Sequence, residues 1–299
     1  MQINNFSRPY ILTADIGGSH ITAAICDIEG HSILPESVVR AEVDSKSGAD
    51  HILLSWKAAF EQVLAKNLTS SIAGLSIAMP GPFDYENGVS YIRGLDKYEA
   101  LYGLSVKSWL AQLLNIDQDV IRFRNDAESA IAGEALSGAG SNCSRVMGIT
   151  LGTGFGSAYA ENATTKDLNL GSHPYKESIA DDYFSTRWFL RRYRELTSDN
   201  LSGGVKKLAE LAQGSTLARE LFIEFANNLS ELLADPIDRY RPEVLVVCGN
   251  IALSSELFLP QLKKNLAAVS IQLAQLGELA PLIGAAAMFD THYGSLFTN

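Results

Sequence analysis

The sequence predicts an α/β protein with two domains. Short runs of apolar and β-branched residues alternate with segments whose apolar residues recur at helical spacing, which is typical of sheets covered by helices. A strand–glycine turn–strand pattern occurs twice, at 10–27 and at 145–159, which indicates two related α/β halves. The chain has 299 residues, more than a single hydrophobic core usually supports.

The first strand–turn–strand pattern opens the N-terminal half. Tyr10–Ala14 is predicted as a strand, Asp15-Ile16-Gly17-Gly18-Ser19-His20 as the turn, and Ile21–Asp27, which is rich in apolar and β-branched residues, as the second strand. A strand therefore follows the glycines where a dinucleotide-binding fingerprint would have a helix. No Gly-Lys-Ser/Thr follows either, so the turn is not a Walker loop.

The remaining elements follow from the same two patterns. Helices are predicted where apolar residues recur every three to four positions, and strands where apolar runs end at proline, glycine or polar residues. In chain order they are helix 49–66, strand 72–79, helix 109–114, strand 120–123, helix 127–136, helices 183–196 and 216–235, strand 244–248, and a last helix containing 284–288.

We expect the domain boundary at 124/125, next to Asn125-Asp126. Residues 1–124 would form an N-terminal α/β domain, and residues 125–283 a larger C-terminal α/β domain. The C-terminal helix, at about 284–299, is expected to pack back on the N-terminal domain.

Charge and cysteine content exclude several classes of protein. The net charge of −10 would repel the phosphate backbone of a nucleic acid, so we expect no nucleic-acid partner. The three cysteines, Cys26, Cys143 and Cys248, lack metal-ligand or disulfide spacing, which fits a cytoplasmic protein. We expect no membrane association, because there is no signal-peptide core and no apolar run of roughly 20 residues.

Both glycine turns are candidate phosphate-binding loops. Gly17-Gly18 permits positive φ and close approach to a ligand, and Asp15 is placed to hold Mg²⁺ directly or through water. The alternative for this turn is an ordinary hairpin with an acid beside it. The second turn, Leu151-Gly152-Thr153-Gly154-Phe155-Gly156, has three alternating glycines, more than a hairpin needs. This pattern favours a loop whose backbone and Thr153 contact a phosphate.

Asp126 follows a predicted strand and begins a predicted helix. Two interpretations are compatible with this position. The side chain either caps the helix, a contribution of about 1 kcal/mol, or acts as a general base that takes the proton of a hydroxyl attacking a γ-phosphate. Both hold together, because a helix start also fixes a side chain rigidly.

These motifs occur in the order found in the ROK family, which the chain resembles over nearly its whole length. They are Asp15-Ile16-Gly17-Gly18-Ser19-His20, Met79-Pro80-Gly81-Pro82, Asn125-Asp126-Ala127 with Gly133-Glu134, and Leu151-Gly152-Thr153-Gly154-Phe155-Gly156. Gly249-Asn250-Ile251-Ala252 is similar to the family's adenosine motif, and Gly284-Ala285-Ala286 resembles its closing helix. The resemblance implies a glucokinase-like sugar kinase with a two-domain actin-like ATPase (ribonuclease H-like) fold and a cleft between the domains.

The resemblance also implies a role for each matching residue. Asp15 would hold Mg²⁺ through water, Asn125 would bind the sugar, and Asp126 would be the catalytic base. The residues implied to bind the nucleotide are Gly17, Gly18, Ser19, Gly152, Thr153, Gly154 and Gly249. Family members phosphorylate hexoses or amino sugars, usually from ATP with Mg²⁺, and often dimerise. We therefore expect ATP, Mg²⁺, a sugar substrate and a homodimer.

The chain departs from the family pattern after the second glycine turn. Many relatives bind zinc there with a histidine and three clustered cysteines, but 169–177 contains no cysteine, so we expect no zinc site. In the family's sugar clamp, Asn169 replaces a glutamate and Ser172 a histidine. His173 is either a substitute sugar ligand or a surface histidine. Asp181 matches a further sugar-binding glutamate, or is an acid at a helix N-terminus.

The segment Arg93-Gly94-Leu95-Asp96-Lys97-Tyr98 stands where many relatives have an asparagine that contacts the sugar. Lys97 and Tyr98 either contact a substrate group or belong to a solvated loop.

Retained phosphate loops and a retained Asp126, beside an altered clamp, predict an ATP-dependent sugar kinase with changed specificity. The alternative is a catalytically weak sugar- or nucleotide-binding ROK protein with a regulatory role. Polyphosphate replaces ATP as the donor in some relatives. Family repressors have an additional helix-turn-helix before the first loop, whereas the residues before Asp15 are predicted as a strand. We therefore do not expect a repressor.

Overall fold

The structure is a computed structural model that describes residues 10–69, 71–162 and 164–290. Within these residues the chain forms two compact units. Unit 1 comprises residues 10–137 and 278–290, and unit 2 comprises residues 138–277.

The strands and helices are numbered in chain order through both units. The described strands are β1 (Tyr10–Ile16), β2 (His20–Asp27), β3 (Ser32–Ile33), β4 (Val39–Glu42), β5 (Gly74–Met79), β6 (Phe83–Asp84), β7 (Val89–Ser90), β8 (Ile121–Asn125), β9 (Arg145–Leu151), β10 (Phe155–Glu161), β11 (Thr164–Asp167), β12 (Pro174–Tyr175), β13 (Ser178–Ile179), β14 (Val244–Cys248) and β15 (Ser270–Leu273). The described α-helices are α1 (Ala49–Leu64), α2 (Val106–Leu114), α3 (Asp126–Ser137), α4 (Thr186–Thr197), α5 (Gly204–Leu211), α6 (Thr216–Tyr240), α7 (Leu259–Asn265) and α8 (Ala280–Ala286).

Six described strands of unit 1 form one sheet, in the order β3-β2-β1-β5-β8 with β4 also paired to β2. β1 and β2 are antiparallel, with Ile16 opposite Ile21, as the predicted hairpin requires. β5 runs parallel to β1, and β8 runs parallel to β5. Because parallel strands end at the same edge of a sheet, the carboxyl ends of β1, β5 and β8 are neighbours. Trp56 and Phe60 of α1 lie fully buried in the core of this unit.

Helix α3 packs against α8 so closely that glycine is required at the contact. A Cβ atom on Gly284 would lie 1.9 Å from the carbonyl oxygen of Ser129, and one on Gly133 would lie 2.1 Å from that of Ala280. This packing holds α3 in unit 1. The boundary between the compact units therefore follows Ser137, whereas we expected it after residue 124.

The closing helix also differs from its prediction. α8 begins at Ala280, ahead of the predicted Gly284, and has Pro281 in its first turn, where a missing backbone N–H is tolerated. It ends at Ala286, and a short 3₁₀ turn, Ala287–Phe289, follows. Residues 291–299 of the predicted helix lie outside the described residues.

The described sheet of unit 2 has the order β11-β10-β9-β14-β15. β9 and β10 form an antiparallel hairpin, β14 runs parallel to β9, and β15 runs parallel to β14. Both sheets therefore contain an antiparallel hairpin with a glycine turn, followed by two parallel strands. This shared topology confirms the prediction of two related α/β halves. The core of unit 2 is rich in buried aromatic residues, among them Phe184, Phe189, Phe222, Phe225 and Phe258.

Two predicted helix bounds in unit 2 are wrong. α6 continues past Asp235 to Tyr240, with Pro236 inside it. Its last turn is held by Tyr159, whose Oη donates to the carbonyl oxygen of Tyr240 at 3.3 Å and whose ring packs on the Tyr240 ring. α4 begins at Thr186 rather than 183, because residues 180–182 form a separate 3₁₀ turn.

Candidate active site

The sheet of unit 1 brings the predicted site residues of that unit to one edge. Asp15 in β1 pairs with Ala78 in β5, and Met79 in β5 pairs with Asn125 in β8. Asp126 is the next residue along the chain. Asp15, Asn125 and Asp126 therefore lie at the carboxyl ends of β1 and β8, on either side of β5, at the edge of the sheet where α/β proteins commonly bind ligands.

The first glycine turn is held by its carbonyl groups. Each accepts one hydrogen bond from a residue further along the chain: Tyr98 Oη to Gly17 O (2.5 Å), Ser45 Oγ to Gly18 O (2.5 Å) and Val43 N to Ser19 O (2.9 Å). Among the described residues, no group accepts a hydrogen bond from the amides of Gly18 and Ser19. The turn therefore has fixed carbonyls and two neighbouring amides available to an anion.

The positive φ expected at Gly17-Gly18 is wrong. Neither Gly17 nor Gly18 has positive φ, and neither do Gly152 and Gly154 of the second turn. A Cβ atom on Gly18 would instead enter a sparsely filled space, with Lys97 Cδ as its nearest described neighbour at 3.8 Å. The missing side chain, and not a left-handed backbone, leaves the surface of the turn open.

Asp15 lies in acidic surroundings. Desolvation raises the pKa of its carboxyl group to about 7, and the negative charges of Asp126 and Glu278 contribute, while Arg40 opposes them. No described residue donates a hydrogen bond to this carboxylate. An unpaired carboxylate oxygen next to other carboxylates is a suitable donor for a hard cation such as Mg²⁺, which is usually held by one or two carboxylates together with water and phosphate oxygens.

Asn125, and not Asp126, caps helix α3. Asn125 Oδ1 accepts a hydrogen bond from Glu128 N at 3.0 Å, three residues along, as an N-cap side chain does. The interpretation of Asp126 as the cap is therefore wrong. Asp126 Oδ1 accepts from Ala127 N at 2.8 Å, and no described side chain donates to the carboxylate. Burial raises the pKa of Asp126, partly offset by the Ala127 amide and by the charge of Lys97.

A tyrosine connects Asn125 to the strand beside it. Asn125 Nδ2 donates to Tyr85 Oη at 3.1 Å, and Tyr85 Oη donates to the carbonyl oxygen of Met79 at 3.1 Å. The amide side chain is thus oriented from both ends, because its oxygen is held by the helix cap. This arrangement fixes Asn125, the predicted sugar ligand, next to Asp126.

The second glycine turn in unit 2 has a similar arrangement. The carbonyl oxygen of Gly152 accepts from both Thr186 N (2.8 Å) and Thr186 Oγ1 (3.0 Å). Among the described residues, no group accepts a hydrogen bond from the amides of Thr153 and Gly154. A Cβ atom on Gly152 would again meet open space. Each glycine turn therefore presents two consecutive unpaired amides.

Asp181 supports the second turn. Its Oδ1 accepts a hydrogen bond from Phe155 N at 2.6 Å, and Arg187 forms an ion pair with its other oxygen. A side chain on Gly154 would crowd this contact, because its Cβ atom would lie 3.1 Å from Asp181 Oδ1. Asp181 is not the acid that begins α4, whose N-cap is Ser185. Its predicted contact with a sugar stays a prediction.

Gly249 follows β14 and lies beside the second turn. It has a φ of 90°, and a Cβ atom on it would lie 2.4 Å from the carbonyl oxygen of Leu151. Glycine is therefore required for the backbone to pass the turn at this distance. The predicted place of Gly249 near a nucleotide stays a prediction, but its packing against the second turn agrees with it.

The altered sugar clamp lies next to the same turn. Ser172 Oγ donates to Asn169 Oδ1 at 2.9 Å, so the two substituted residues bond to each other. Gly171 between them packs on Phe155, since a Cβ atom would lie 2.5 Å from the Phe155 carbonyl oxygen. His173 is exposed and donates its backbone amide to Leu170 O at 3.0 Å. These contacts describe a surface loop, and a role of His173 as a sugar ligand stays a prediction.

The loop at 93–98 is only partly solvated. Arg93 and Asp96 are exposed, but Tyr98 is fully buried, and its ring lies edge-on to Trp56 with 5.7 Å between centroids. The solvated-loop interpretation is therefore wrong for Tyr98. Lys97, between Asp96 and Tyr98 in the sequence, is partly buried.

Neither a metal cluster nor a membrane helix is found in the described ranges. Within residues 10–69, 71–162 and 164–290, no three His, Cys, Asp or Glu side chains come together as a metal site. In the same part of the chain, no helix has the length and apolar character needed to cross a membrane.

The family model described as the ROK family matches residues 11–173, which include both glycine turns and Asn125-Asp126. This chain belongs to the ROK family. It is 24% identical over 319 aligned positions to the N-acetyl-D-glucosamine kinase of Haemophilus influenzae, covering 93% of this chain and 98% of that protein.

Two solved structures show the fold of this ROK protein. The ROK hexokinase from Thermus thermophilus superposes with a TM-score of 0.79 at 21% identity, over 93% of this chain and 97% of that one. A ROK family glucokinase from Streptomyces griseus, in complex with glucose and AMPPNP, superposes with a TM-score of 0.74 at 23% identity, over 93% and 98%. The expected α/β fold of the actin-like ATPase class is confirmed by these similarities.

Several residues around the ROK motifs were missed by sequence reasoning. Arg40 connects the first turn to the segment before α8, because it contacts His20 Nε2 (2.9 Å) and Glu278 Oε2 (2.5 Å). Tyr85 links Asn125 to Met79 O, and Thr186 holds Gly152 O through both its amide and its hydroxyl group. No local sequence pattern indicates the role of Arg40, because it lies in the four-residue strand β4 and its partner Glu278 is distant in sequence.

Proposed function

We propose that this protein is a sugar kinase that transfers the γ-phosphoryl group of ATP to a hydroxyl group of a hexose or an amino sugar. The observation that carries the proposal is the position of Asp126, beside a glycine turn with two unpaired amides and not used as a helix cap. The related proteins support a sugar acceptor, since they include an N-acetyl-D-glucosamine kinase and a glucokinase in complex with glucose and AMPPNP.

In the proposed reaction, Asp126 accepts the proton of the sugar hydroxyl while that oxygen attacks the γ-phosphorus. Because burial raises the pKa of Asp126, its ionised carboxylate is a stronger base than an exposed one. The unpaired amides of Gly18, Ser19, Thr153 and Gly154 would bind phosphate oxygens. Mg²⁺, held by Asp15 through water, would neutralise charge on the phosphates.

The remaining assignments concern the two ligands. Asn125 and His173 would contact the sugar, and Gly249 would lie at the nucleotide. Asp181 would contact the sugar in addition to its bonds to Phe155 N and Arg187, because each carboxylate oxygen can accept a second hydrogen bond.

The substitution Asp126→Asn tests the proposal. ADP production from ATP and Mg²⁺ is measured with a panel of hexoses and N-acylated hexosamines, and with polyphosphate as an alternative donor. We expect kcat to fall by about 10²–10⁴-fold, while the circular dichroism spectrum and nucleotide affinity stay unchanged, because asparagine has the same shape but cannot accept the proton. Asp119→Asn, at an exposed carboxylate before β8, is the matched control. Turnover near the wild-type value in Asp126→Asn would falsify the base assignment.

A second candidate is a catalytically weak sugar- or nucleotide-binding protein with a regulatory role. The observation that favours it is the bond between Ser172 and Asn169, which occupies the substituted clamp residues with each other. Nucleotide binding by the wild-type protein, without turnover on any sugar of the panel, would favour this second candidate over the kinase.

A further inference from the structure

Lys97 lies beside both elements of the proposed transfer site in unit 1. Its Cδ atom is the nearest described neighbour of the position a Cβ atom would take on Gly18, at 3.8 Å. Its charge also acts on Asp126, where it favours the ionised carboxylate. The lysine therefore lies within reach of the first glycine turn and of the proposed base.

The backbone around Lys97 is held in an unusual conformation. Asp96 and Tyr98, on either side, have φ values of 55° and 56°, in the left-handed region that residues other than glycine rarely adopt. Such residues are strained and persist only where the surroundings require them. Two of them flanking one lysine indicate that its position is imposed by the fold.

The same contacts that fix Tyr98 attach this loop to the glycine turn. Tyr98 Oη donates to the carbonyl oxygen of Gly17 at 2.5 Å, and Tyr98 N donates to the carbonyl oxygen of Ser45 at 2.7 Å. Ser45 in turn donates to Gly18 O. Lys97 is therefore coupled to the turn through two hydrogen-bonded links rather than carried on a free loop.

The charge balance leaves Lys97 available to a ligand. Among the described residues, its ammonium group forms no hydrogen bond or ion pair, whereas Arg40, the cation that acts on Asp15, is engaged with Glu278 and His20. A triphosphate that approaches Asp15 and Asp126 meets carboxylates. A free ammonium group next to the turn would offset that repulsion.

We propose that Lys97 binds the γ-phosphate of the nucleotide and stays in contact with the phosphoryl group while it is transferred. This inference rests on the proposed kinase function. In the step, the sugar oxygen forms a bond to the γ-phosphorus, the bond from that phosphorus to the β–γ bridging oxygen breaks, and ADP leaves with the electron pair. Asp126 takes the hydroxyl proton, and Lys97 keeps its own proton and donates hydrogen bonds to the phosphoryl oxygens.

The test compares two nucleotides that differ by the γ-phosphate. Affinities for AMPPNP and for ADP, each with Mg²⁺, are measured by titration calorimetry in wild type, Lys97→Met, Lys97→Arg and the control Lys46→Met. Lys46 is a suitable control because it is an exposed lysine near the same loop, paired with Asp96. We expect Lys97→Met to weaken AMPPNP about tenfold or more, with ADP changed less than about threefold and kcat reduced about 100-fold. Lys97→Arg should keep most of the AMPPNP affinity.

The other outcomes overturn the inference in distinguishable ways. Equal losses for AMPPNP and ADP, or no loss for either, would exclude a contact with the γ-phosphate. A higher KM for sugar with unchanged kcat and AMPPNP affinity would make Lys97 a sugar ligand instead. A similar loss of AMPPNP affinity in Lys46→Met would show that removing any positive charge near this loop has the same effect. Absence of binding of both nucleotides by the wild-type protein would defeat the kinase proposal itself, and this inference with it.

Discussion

At the scale of single residues, the site concentrates carboxylates that the fold does not neutralise. Asp15 has no described hydrogen-bond donor and lies near Asp126 and Glu278, so its ionisation opposes folding. Such a destabilised group is common at functional sites, where a ligand or metal supplies the missing charge.

The pH dependence of stability should reveal this cost. The pKa of Asp15 is raised to about 7 in the folded protein, whereas an aspartate of the unfolded chain titrates near 4. The folded state thus holds the proton more tightly, and its stability falls as pH rises from about 4 to about 7, then levels off. Asp15→Asn stays neutral and escapes this loss. In EDTA at pH 8, it should be more stable than wild type by on the order of 2 kcal/mol.

Thermal unfolding of wild type and Asp15→Asn, followed from pH 4 to pH 8, measures this difference. The advantage of the variant should shrink towards pH 4, because Asp15 is then protonated in the folded state and about half protonated in the unfolded chain. A stability difference that is the same at pH 4 and pH 8 would show that ionisation of Asp15 is not the cause.

At the scale of secondary-structure elements, two neighbouring residues at the start of α3 have different roles, one in capping the helix and one in the proposed chemistry. Asn125 performs the capping contact with Glu128 N, and this leaves Asp126 at the first helical position. The helix start therefore holds Asp126 rigidly without using its carboxylate as the cap.

The contact between α3 and α8 should depend on its glycines. In Gly284→Ala, the added Cβ atom would lie 1.9 Å from the Ser129 carbonyl oxygen and 2.7 Å from Gly133 N, which are backbone atoms of a packed helix. The helices must separate, so we expect a loss of about 3 kcal/mol or more in the free energy of unfolding, measured by urea denaturation. Gly214→Ala, whose Cβ atom would enter open space, is the control and should change stability by less than about 0.5 kcal/mol.

The two variants separate packing from backbone effects. An equal small effect of both substitutions would mean that α3 and α8 are not in close contact. Because Gly133 faces Ala280 in the same contact, Gly133→Ala should resemble Gly284→Ala.

At the scale of the whole molecule, the two units differ in how the chain builds them. Unit 2 is one continuous segment, 138–277, and its hydrophobic core lies entirely within that segment. Unit 1 needs residues 278–290 in addition to 10–137, because α8 packs on α3 and Leu282 O accepts a hydrogen bond from Thr13 Oγ1 at 2.8 Å.

This difference predicts unequal tolerance to truncation. Residues 138–277 expressed alone should fold and unfold cooperatively, with Trp188, the only tryptophan of the fragment, emitting as a buried side chain. A chain cut after residue 277 should lose the cooperative unfolding of unit 1, because the face of α3 that α8 covers becomes exposed. A fragment 138–277 without a thermal transition would contradict the independence of unit 2.

Much of the architecture was predictable from local patterns. Both glycine hairpins, the strand before Asn125-Asp126 and the related halves follow from apolar periodicity, because the period of burial is set by strand and helix geometry. The order of the motifs along the chain likewise identified the ROK family, which the match at 11–173 bears out.

What only the tertiary structure decided depends on contacts between distant segments. The unit boundary after Ser137 is set by helix α8, more than a hundred residues further along the chain. Such contacts also determine the left-handed backbone on either side of Lys97 and the acidic surroundings of Asp15. They likewise determine that Asn125, and not Asp126, caps α3. Glycine and asparagine in the sequence indicate where a backbone can turn or a helix can begin. Which amide stays unpaired, and which carboxylate stays free, is determined by the neighbours that packing brings beside them.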